Sequence, residues 1–385
     1  MSCQTRRRFL KQTASGTAAF TLGSTALTGG RILGANERIG VALIGCGGRG
    51  RFVARGLVEA GADLVALCDL HEERLDQAEL FLREAQPRKP IRCKEMARVF
   101  DRADVDAVIV ATPDHWHAPA SIRACQAGKD VYVEKPHAHN IWESRMLIKA
   151  ARQYGRVLQA GTQNRSAPYC ISAREYVSSG DLADDGIHQL DLALLLTGDP
   201  GLPGAVSCSG GRLVHRDDDG EVPDVQIASF EFQDFVMTME LTNYPRYMQK
   251  TTSTIRRNDL LPYWTQNATR IELYGSEMMM TVGRHGGGWQ VTTSGGVVVE
   301  QMYGRPPDEP HYRNFIQCVK DRHQANADIG TAHQACVMVH AANIAHRVGN
   351  AKLRLDTEEE KFVDHAHANA LLRRKYRESY GISSN

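Results

Sequence analysis

Between Arg38 and about Gly161 the chain alternates short, unbroken apolar runs with longer stretches of helical period. The runs Ile39–Ile44, Leu64–Cys68, Val105–Ala111, Val131–Val133 and Val157–Ala160 are rich in Val, Ile and Leu and predict buried strands. Between them, Arg51–Ala60, His71–Glu84, Ala118–Ala127 and Ile141–Tyr154 predict helices. Strands without a polar face, alternating with helices, imply a parallel sheet covered on both sides, so a doubly wound α/β domain is expected. The pattern then changes. Ala205–Arg212, Val225–Phe232, Phe235–Thr242, Arg270–Tyr274, Met278–Val282 and Trp289–Thr293 alternate as antiparallel strands do. Helical patterns follow over Pro310–Arg322 and Thr331–Val348, and the mixed-charge tail from Asp356 is expected to pack back or lie on the surface. The segment Asn243–Ala268, carrying Lys250, Arg256 and Arg257, interrupts the strands and is expected to cover a site.

The first 35 residues have a different character. Arg6 and Arg7 stand before Arg8-Phe9-Leu10-Lys11, and an acid-free, weakly apolar stretch runs from Thr13 to about Thr28. This is the twin-arginine export signature, and its apolar part is too short and too polar to stay as a membrane span. Residues 1–35 are therefore expected to be a signal peptide, with cleavage near Ala35 preferred over Ala26. The expected partners are the twin-arginine translocon during export and a small molecule afterwards, in the periplasm or otherwise outside the inner membrane. Such export suits a protein that folds around its cofactor first.

Composition narrows the class further. With 46 Lys+Arg against 45 Asp+Glu in 385 residues, the chain has no basic footprint for nucleic acid and no general attraction to anionic lipid. Cys3 lies in the signal and the other eight cysteines are spread singly, with no Cys-x-x-Cys, so neither a zinc ribbon nor a thioredoxin motif is expected. Cys46, Cys68 and Cys125 lie in or beside apolar segments and read as small buried thiols. The pairs His115/His117 and His137/His139 lack a third ligand at a telling distance, so no metal is expected.

The first strand ends in Gly45-Cys46-Gly47-Gly48-Arg49-Gly50, a G-x-G-x-x-G turn that also opens a predicted helix. Gly45 suits the tight turn, Gly47 lets the backbone approach a pyrophosphate, and Gly50 lets helix and strand pack closely. Asp69 follows the second strand, 24 residues after Gly45. A carboxylate there accepts from both ribose hydroxyls and repels a 2′-phosphate, so NAD is expected rather than NADP. Farther on, His188 and Asp191 share a helical face with Asp184 on an otherwise Leu-rich helix. Such a polar stripe must find partners or face a cleft. Asp191 reads as a satisfied core carboxylate and His188 as a proton acceptor. Lys135, before Pro136 at the carboxyl end of a parallel strand, is placed to stabilise a developing alkoxide. Trp116, Tyr263 and Trp264 are candidate stacking platforms for a ligand.

Taken in order, Gly45–Gly50, Asp69, Ala111-Thr112-Pro113-Asp114-His115-Trp116-His117, Val133-Glu134-Lys135-Pro136 and Gly186-Ile187-His188-Gln189-Leu190-Asp191 resemble the Gfo/Idh/MocA oxidoreductases. The resemblance covers about Arg38 to Tyr380, is most specific at Glu-Lys-Pro, and looks like the exported, sugar-acting branch. It implies a Rossmann NAD-binding domain (residues 36–165) and a C-terminal α/β domain (166–385) with a large, mostly antiparallel sheet used for substrate and dimerisation. It also implies site roles. Thr112, Pro113 and His117 pass under the nicotinamide; Glu134 and Lys135 line its junction with substrate, Lys135 hydrogen-bonding the reacting hydroxyl; Asp184 orients His188; Gln163 and Arg165 reach cofactor or substrate.

The chain departs from the family pattern at one point. After Arg174-Glu175-Tyr176-Val177-Ser178-Ser179, relatives continue into a strand and a long loop before the Asp/His helix, whereas here Gly180-Asp181-Leu182 follows at once. A strand that begins the second sheet, and a wall of the pocket, are expected to be missing near residues 179–181. Three readings follow. The first is an NAD-dependent oxidoreductase taking hydride from a sugar or polyol carbinol carbon, with His188 as base. The second is a redox-neutral glycosidase that regenerates NAD in each cycle, and the third is a non-catalytic NAD-binding or sugar-sensing protein.

Overall fold

The computed structural model describes residues 38–86, 88–177, 187–214, 223–242, 245–376 and 382. The export signature, the shortened stretch near 179–181 and Asp184 lie outside the described residues.

Strands β1 (Gly40–Ile44), β2 (Asp63–Cys68), β3 (Ile91–Cys93), β4 (Ala107–Val110), β5 (Asp130–Val133) and β6 (Leu158–Ala160) form one sheet in the order β3-β2-β1-β4-β5-β6, with every pair parallel. Helices α1 (Gly48–Glu59), α2 (Glu72–Leu82), α3 (Met96–Phe100), α4 (His117–Gln126) and α5 (Ile141–Gln153) connect them. This is the dinucleotide-binding order, whose switch point lies between β1 and β4. Both faces are closed by apolar clusters, as the unbroken apolar strands demand. Ala42, Ile44, Val108 and Val110 face one cluster, while Val41, Leu43, Ala107 and Ile109 face the other. Strand β3 and helix α3 are too short, and β3 too exposed, to carry a periodic signal.

Later helices complete this domain. Tyr312, Phe315, Ile316 and Val319 of α9 (Asp308–Asp321) join the cluster around β1. Helix α10 (Ile329–Arg347) contributes Ile329 and Cys336 to the opposite cluster and Ala335, Val337 and Met338 to the next layer.

The expected single large sheet is two among the described residues. Strands β7 (Ala205–Gly211), β8 (Val225–Glu231) and β9 (Val236–Thr242) form an antiparallel meander. The C-terminal strands β14 (Lys352–Asp356) and β15 (Lys361–Phe362) extend it, β14 pairing with β7. Strands β10 (Arg270–Tyr274), β11 (Met278–Gly283), β12 (Trp289–Thr293) and β13 (Val298–Met302) make a second meander. The long segment between β9 and β10, which holds the short helix α8 (Ser253–Arg257), separates the two. Helices α6 (Pro168–Val177) and α7 (Ile187–Leu196) pack Tyr169, Leu192 and Leu195 against Ile271, Val282 and Trp289 of the second meander. Among the described residues no helix is long and apolar enough to cross a membrane.

Candidate functional site

A cleft of about 1050 Å³ opens at the carboxyl ends of the parallel strands. Arg49, Thr112, His117, Glu134, Lys135, Gln163 and His188 all line it, so residues spread over 140 positions of sequence meet there, as the motifs require. Ligands of doubly wound sheets sit at this edge.

The glycine turn has the shape its spacing predicts. Gly45 has φ +94°, and a Cβ on it would lie 2.5 Å from Ala111 O; one on Gly50 would lie 2.2 Å from Gly45 O. Gly47 and Gly48 instead face open space, and Gly47 caps α1 without a side-chain acceptor for its free N–H groups. An exposed helix N-terminus with no Cβ in front of it fits a pyrophosphate. Asp69 holds the turn, its Oδ2 accepting from Cys46 N at 2.8 Å and its Oδ1 from His71 N at 3.0 Å. Thr112 Oγ1 is buried with no partner, a hydroxyl left for a bound group. The chain therefore fits NAD at this edge. Pro113 is exposed beside Thr112 and does not border the cleft.

His117 differs from its expected place beneath the nicotinamide in one respect. It lines the cleft, but its ring is occupied: Nε2 lies 2.8 Å from Thr112 O and Nδ1 2.6 Å from Pro136 O. Burial pushes its pKa down, the two carbonyls opposing. It braces the Thr112 loop against the Lys135–Pro136 turn, whose peptide is cis.

Glu134 is nearly buried and accepts from Arg49 Nε at 2.9 Å. Its carboxylate packs under Gly161, where a Cβ would approach Oε1 to 2.8 Å. Lys135 is exposed, and its side chain has no hydrogen-bonded or ionic partner among the described residues. Gln163 is buried and donates from Nε2 to Tyr132 Oη at 3.0 Å. His188, on the first turn of α7, is held well below the ordinary histidine range, first by burial and then by Arg284, Lys135, His285 and Arg49. It is a neutral imidazole, able to accept a proton.

Other expectations shift. Arg165 does not reach the cleft: it is buried, with Nε 2.7 Å from Asp191 Oδ1 and a second nitrogen 2.8 Å from Asp199 Oδ1. Asp191 is thereby a paired core carboxylate through Oδ1, but not the fully satisfied one expected from its sequence setting, because its buried Oδ2 has no hydrogen-bond partner among the described residues. Trp116, Tyr263 and Trp264 stay off the cleft wall, Tyr263 facing solvent and Trp264 Nε1 donating to Gln290 Oε1 at 2.6 Å. His137 Nε2 lies 2.7 Å from Ser144 Oγ, and among the described residues no three His, Cys, Asp or Glu are grouped so as to hold a metal ion.

Sequence reading missed Asn164, Arg284, His285 and Asp308, which also line the cleft. For Arg284 and His285 a signal existed. They precede Gly286-Gly287-Gly288, all at positive φ, a run that only a specially shaped turn requires. Tyr169 Oη fixes that turn, donating to Gly283 O at 2.7 Å and accepting from Gly286 N at 3.2 Å.

A model of an oxidoreductase-family NAD-binding Rossmann fold matches residues 39–162, and one of an oxidoreductase-family C-terminal α/β domain matches 290–382, together more than half of the chain. An alpha-N-acetylgalactosaminidase of Shewanella oneidensis is 30% identical over 169 residues, 38% of this chain and 37% of that protein. A 2,7-anhydro-N-acetylneuraminate hydratase of Mediterraneibacter gnavus is 26% identical over 232 residues, 51% of this chain and 59% of that protein. Both alignments thus span less than two thirds of the relative, the first little more than a third. Among solved structures, levoglucosan dehydrogenase in complex with NADH and levoglucosan superposes with TM-score 0.65, at 16% identity, over 83% of this chain and 99% of its own. The aldose-aldose oxidoreductase of Caulobacter crescentus gives 0.64, at 20% identity, over 83% and 100%.

Proposed function

The chain belongs to the Gfo/Idh/MocA oxidoreductase family with an NAD-binding Rossmann domain, and from that premise we propose that it oxidises a carbinol carbon of a sugar or polyol, His188 taking the hydroxyl proton. The observation that carries this reading is that His188 and a Lys135 side chain with no partner among the described residues line the same cleft as Thr112 and Glu134. NAD, when bound, supplies the hydride acceptor. The rest is work for side chains. His188 removes the proton, and Lys135 stabilises the charge developing on the oxygen. Arg49 and Glu134, locked together, fix the wall that both stand on. Asp184 is assigned the role of orienting His188, and Asp69 that of selecting NAD over NADP.

The Shewanella alpha-N-acetylgalactosaminidase, 30% identical over its aligned part, favours a second reading, a redox-neutral glycosidase that regenerates NAD within each turnover. Export by the twin-arginine route with NAD already loaded is part of both, because a retained cofactor needs no outside supply. The test is the absorbance spectrum of protein purified from the cytoplasm without added cofactor, then mixed with a sugar panel. Co-purified nucleotide, with the reduced-nicotinamide band rising on sugar addition, supports the oxidoreductase. Release of an aryl leaving group from an aryl glycoside, without net reduction, supports the glycosidase. Tight NAD binding with neither activity would leave a sensor.

A further inference from the structure

The charges on the cleft do not balance. Its wall carries Arg49, Lys135, Lys250, Arg256 and Arg284, but among the described residues its carboxylates are Glu134 and Asp308 alone. Both of these face Arg49, Glu134 at 2.9 Å and Asp308 at 3.8 Å. Lys135, Lys250, Arg256 and Arg284 have no carboxylate partner among the described residues. Arg49, Lys135 and Lys250 are exposed and Arg256 and Arg284 half-buried, so the cleft surface carries an unneutralised positive charge that a ligand can meet.

The unsatisfied atoms carry the same sign. On this cleft the buried side-chain nitrogens without a partner are Asn164 Nδ2, Arg256 Nε and Arg284 Nε, all N–H donors. The one other orphan there, Thr112 Oγ1, is a hydroxyl. No orphaned carboxylate or carbonyl oxygen stands among them. A neutral polyol donates from its hydroxyls as readily as it accepts, so it calls for no excess of cations over carboxylates in the wall that receives it. An excess of cations over carboxylates, with unpaired N–H donors beside them, fits a group that accepts and is negatively charged. We infer that the substrate of this cleft carries an anionic group, a carboxylate or a phosphate ester, received by Arg284, Arg256 and Lys250 with Asn164 as a neutral donor.

The site is built rather than incidental. Arg284 stands on the triple-glycine turn that Tyr169 clamps, and its guanidinium donates to His285 Nε2. The His285 Nδ1–H is thereby directed to Thr269 Oγ1, 2.8 Å away. Burial, followed by Arg284, Lys250 and Arg256, pushes His285 down to about 3, so it adds no charge of its own and acts as a neutral prop for Arg284. Burial likewise lowers Arg284 to about 10, which leaves it a cation at neutral pH.

This inference rests on the cleft being the substrate site proposed above, and the experiment separates the two. The NAD-loaded chain is titrated calorimetrically with D-glucuronate, D-galacturonate, D-glucose 6-phosphate, inorganic phosphate, D-glucose and D-galactose, while reduced nicotinamide is followed by absorbance. Expected is at least tenfold tighter binding of the charged sugars than of their neutral parents, with the advantage lost in Arg284→Gln and reduced in Lys250→Met, a change at an exposed side chain, the variant's folding being checked by a thermal melt. Uronates outbinding the phosphate ester would assign a carboxylate; the reverse order, with competition by inorganic phosphate, would assign a phosphate. Neutral sugars binding as well as charged ones, or no binding by any anion, overturns the inference. Reduction of NAD by a neutral sugar, unaffected by Arg284→Gln, would overturn it while leaving the hydride-transfer reading intact. Anion binding without reduction by any sugar would do the opposite.

Discussion

Arg49 Nε donates to Glu134 Oε1 at 2.9 Å, joining the glycine turn to the end of β5 across 85 residues of sequence. Glu134 is 6% exposed and Arg49 41%, so the two partners stand to lose differently. Arg49→Met leaves a buried carboxylate without its main donor, which costs on the order of 1–3 kcal/mol. Glu134→Gln leaves a guanidinium that can turn to solvent and to Asp308, and should cost less. Thermal melts of the two variants test this order; equal losses would mean the pair is not the tie between turn and strand.

Asp69 should set the nucleotide. Asp69→Asn keeps a carbonyl acceptor for the turn but removes the charge. NAD affinity is expected to fall about tenfold, and that for NADP to hold or rise, since one charge-assisted hydrogen bond is worth roughly 1.5–3 kcal/mol. Fluorescence titration with both nucleotides decides it, and an unchanged NAD:NADP ratio would remove Asp69 from the selection.

His188→Asn should lower kcat by about 10²–10⁴, the usual contribution of a positioned base, with NAD affinity unchanged. Because burial and nearby cations hold His188 well below the ordinary range, the acid limb of the kcat/KM profile should lie below that of a free histidine. An acid limb at or above about 6.5, the unperturbed value, would assign the limb to another group.

Stability should depend on pH for a related reason. His311 is fully buried as a neutral ring, its Nε2–H donating to Ala160 O and its Nδ1 accepting from Ser166 Oγ, both at 3.0 Å. Burial pushes it down to about 3, as it does His285. The unfolded chain binds these protons first, so stability is complete above about 6.5 and is lost as pH falls from there toward 3, at up to about 1.4 kcal/mol per unit per histidine. Melting temperature against pH should be flat from neutrality to about 8, below the range where unfolded thiols ionise, and fall below neutrality, less steeply in His311→Gln. A variant as steep as the parent would show that His311 is not part of the slope.

What could be read from sequence follows from how local each signal is. The parallel strands are buried on both faces, so Val41–Ile44 and Ala107–Val110 announce themselves as continuous apolar runs. Strand β13, Val298–Met302, is exposed along nearly its whole length and has no such run. β14 looks like a polar tail because only Leu353 and Leu355 of its residues face the core. The nucleotide half of the site is carried by contiguous motifs and was legible. The Arg284 half depends on a turn placed by Tyr169, more than a hundred residues away, and only the three glycines mark it. Arg165 shows the converse: its position after β6 suggested a ligand contact, but Asp191 and Asp199, brought up by α7 and its C-terminal turn, claim it.

Gly47 and Gly50 separate folding from binding within one turn. A Cβ on Gly50 would lie 2.2 Å from the backbone Gly45 O, with Leu43 Cδ1 and Ala111 Cβ close behind at 3.1 and 3.2 Å, so Gly50→Ala should lower the melting temperature sharply. Gly47 has φ −66° and its Cβ would meet nothing within 4 Å. The protein itself therefore has no objection to Gly47→Ala, beyond a few tenths of a kcal/mol for the poorer N-cap. If that open space is kept for a pyrophosphate, the added methyl must meet the ligand instead. Gly47→Ala is expected to melt within about 1 kcal/mol of the parent while binding NAD at least tenfold more weakly. Calorimetric titration beside a thermal melt reads both at once, and parental NAD affinity in a Gly47→Ala protein would place the pyrophosphate elsewhere.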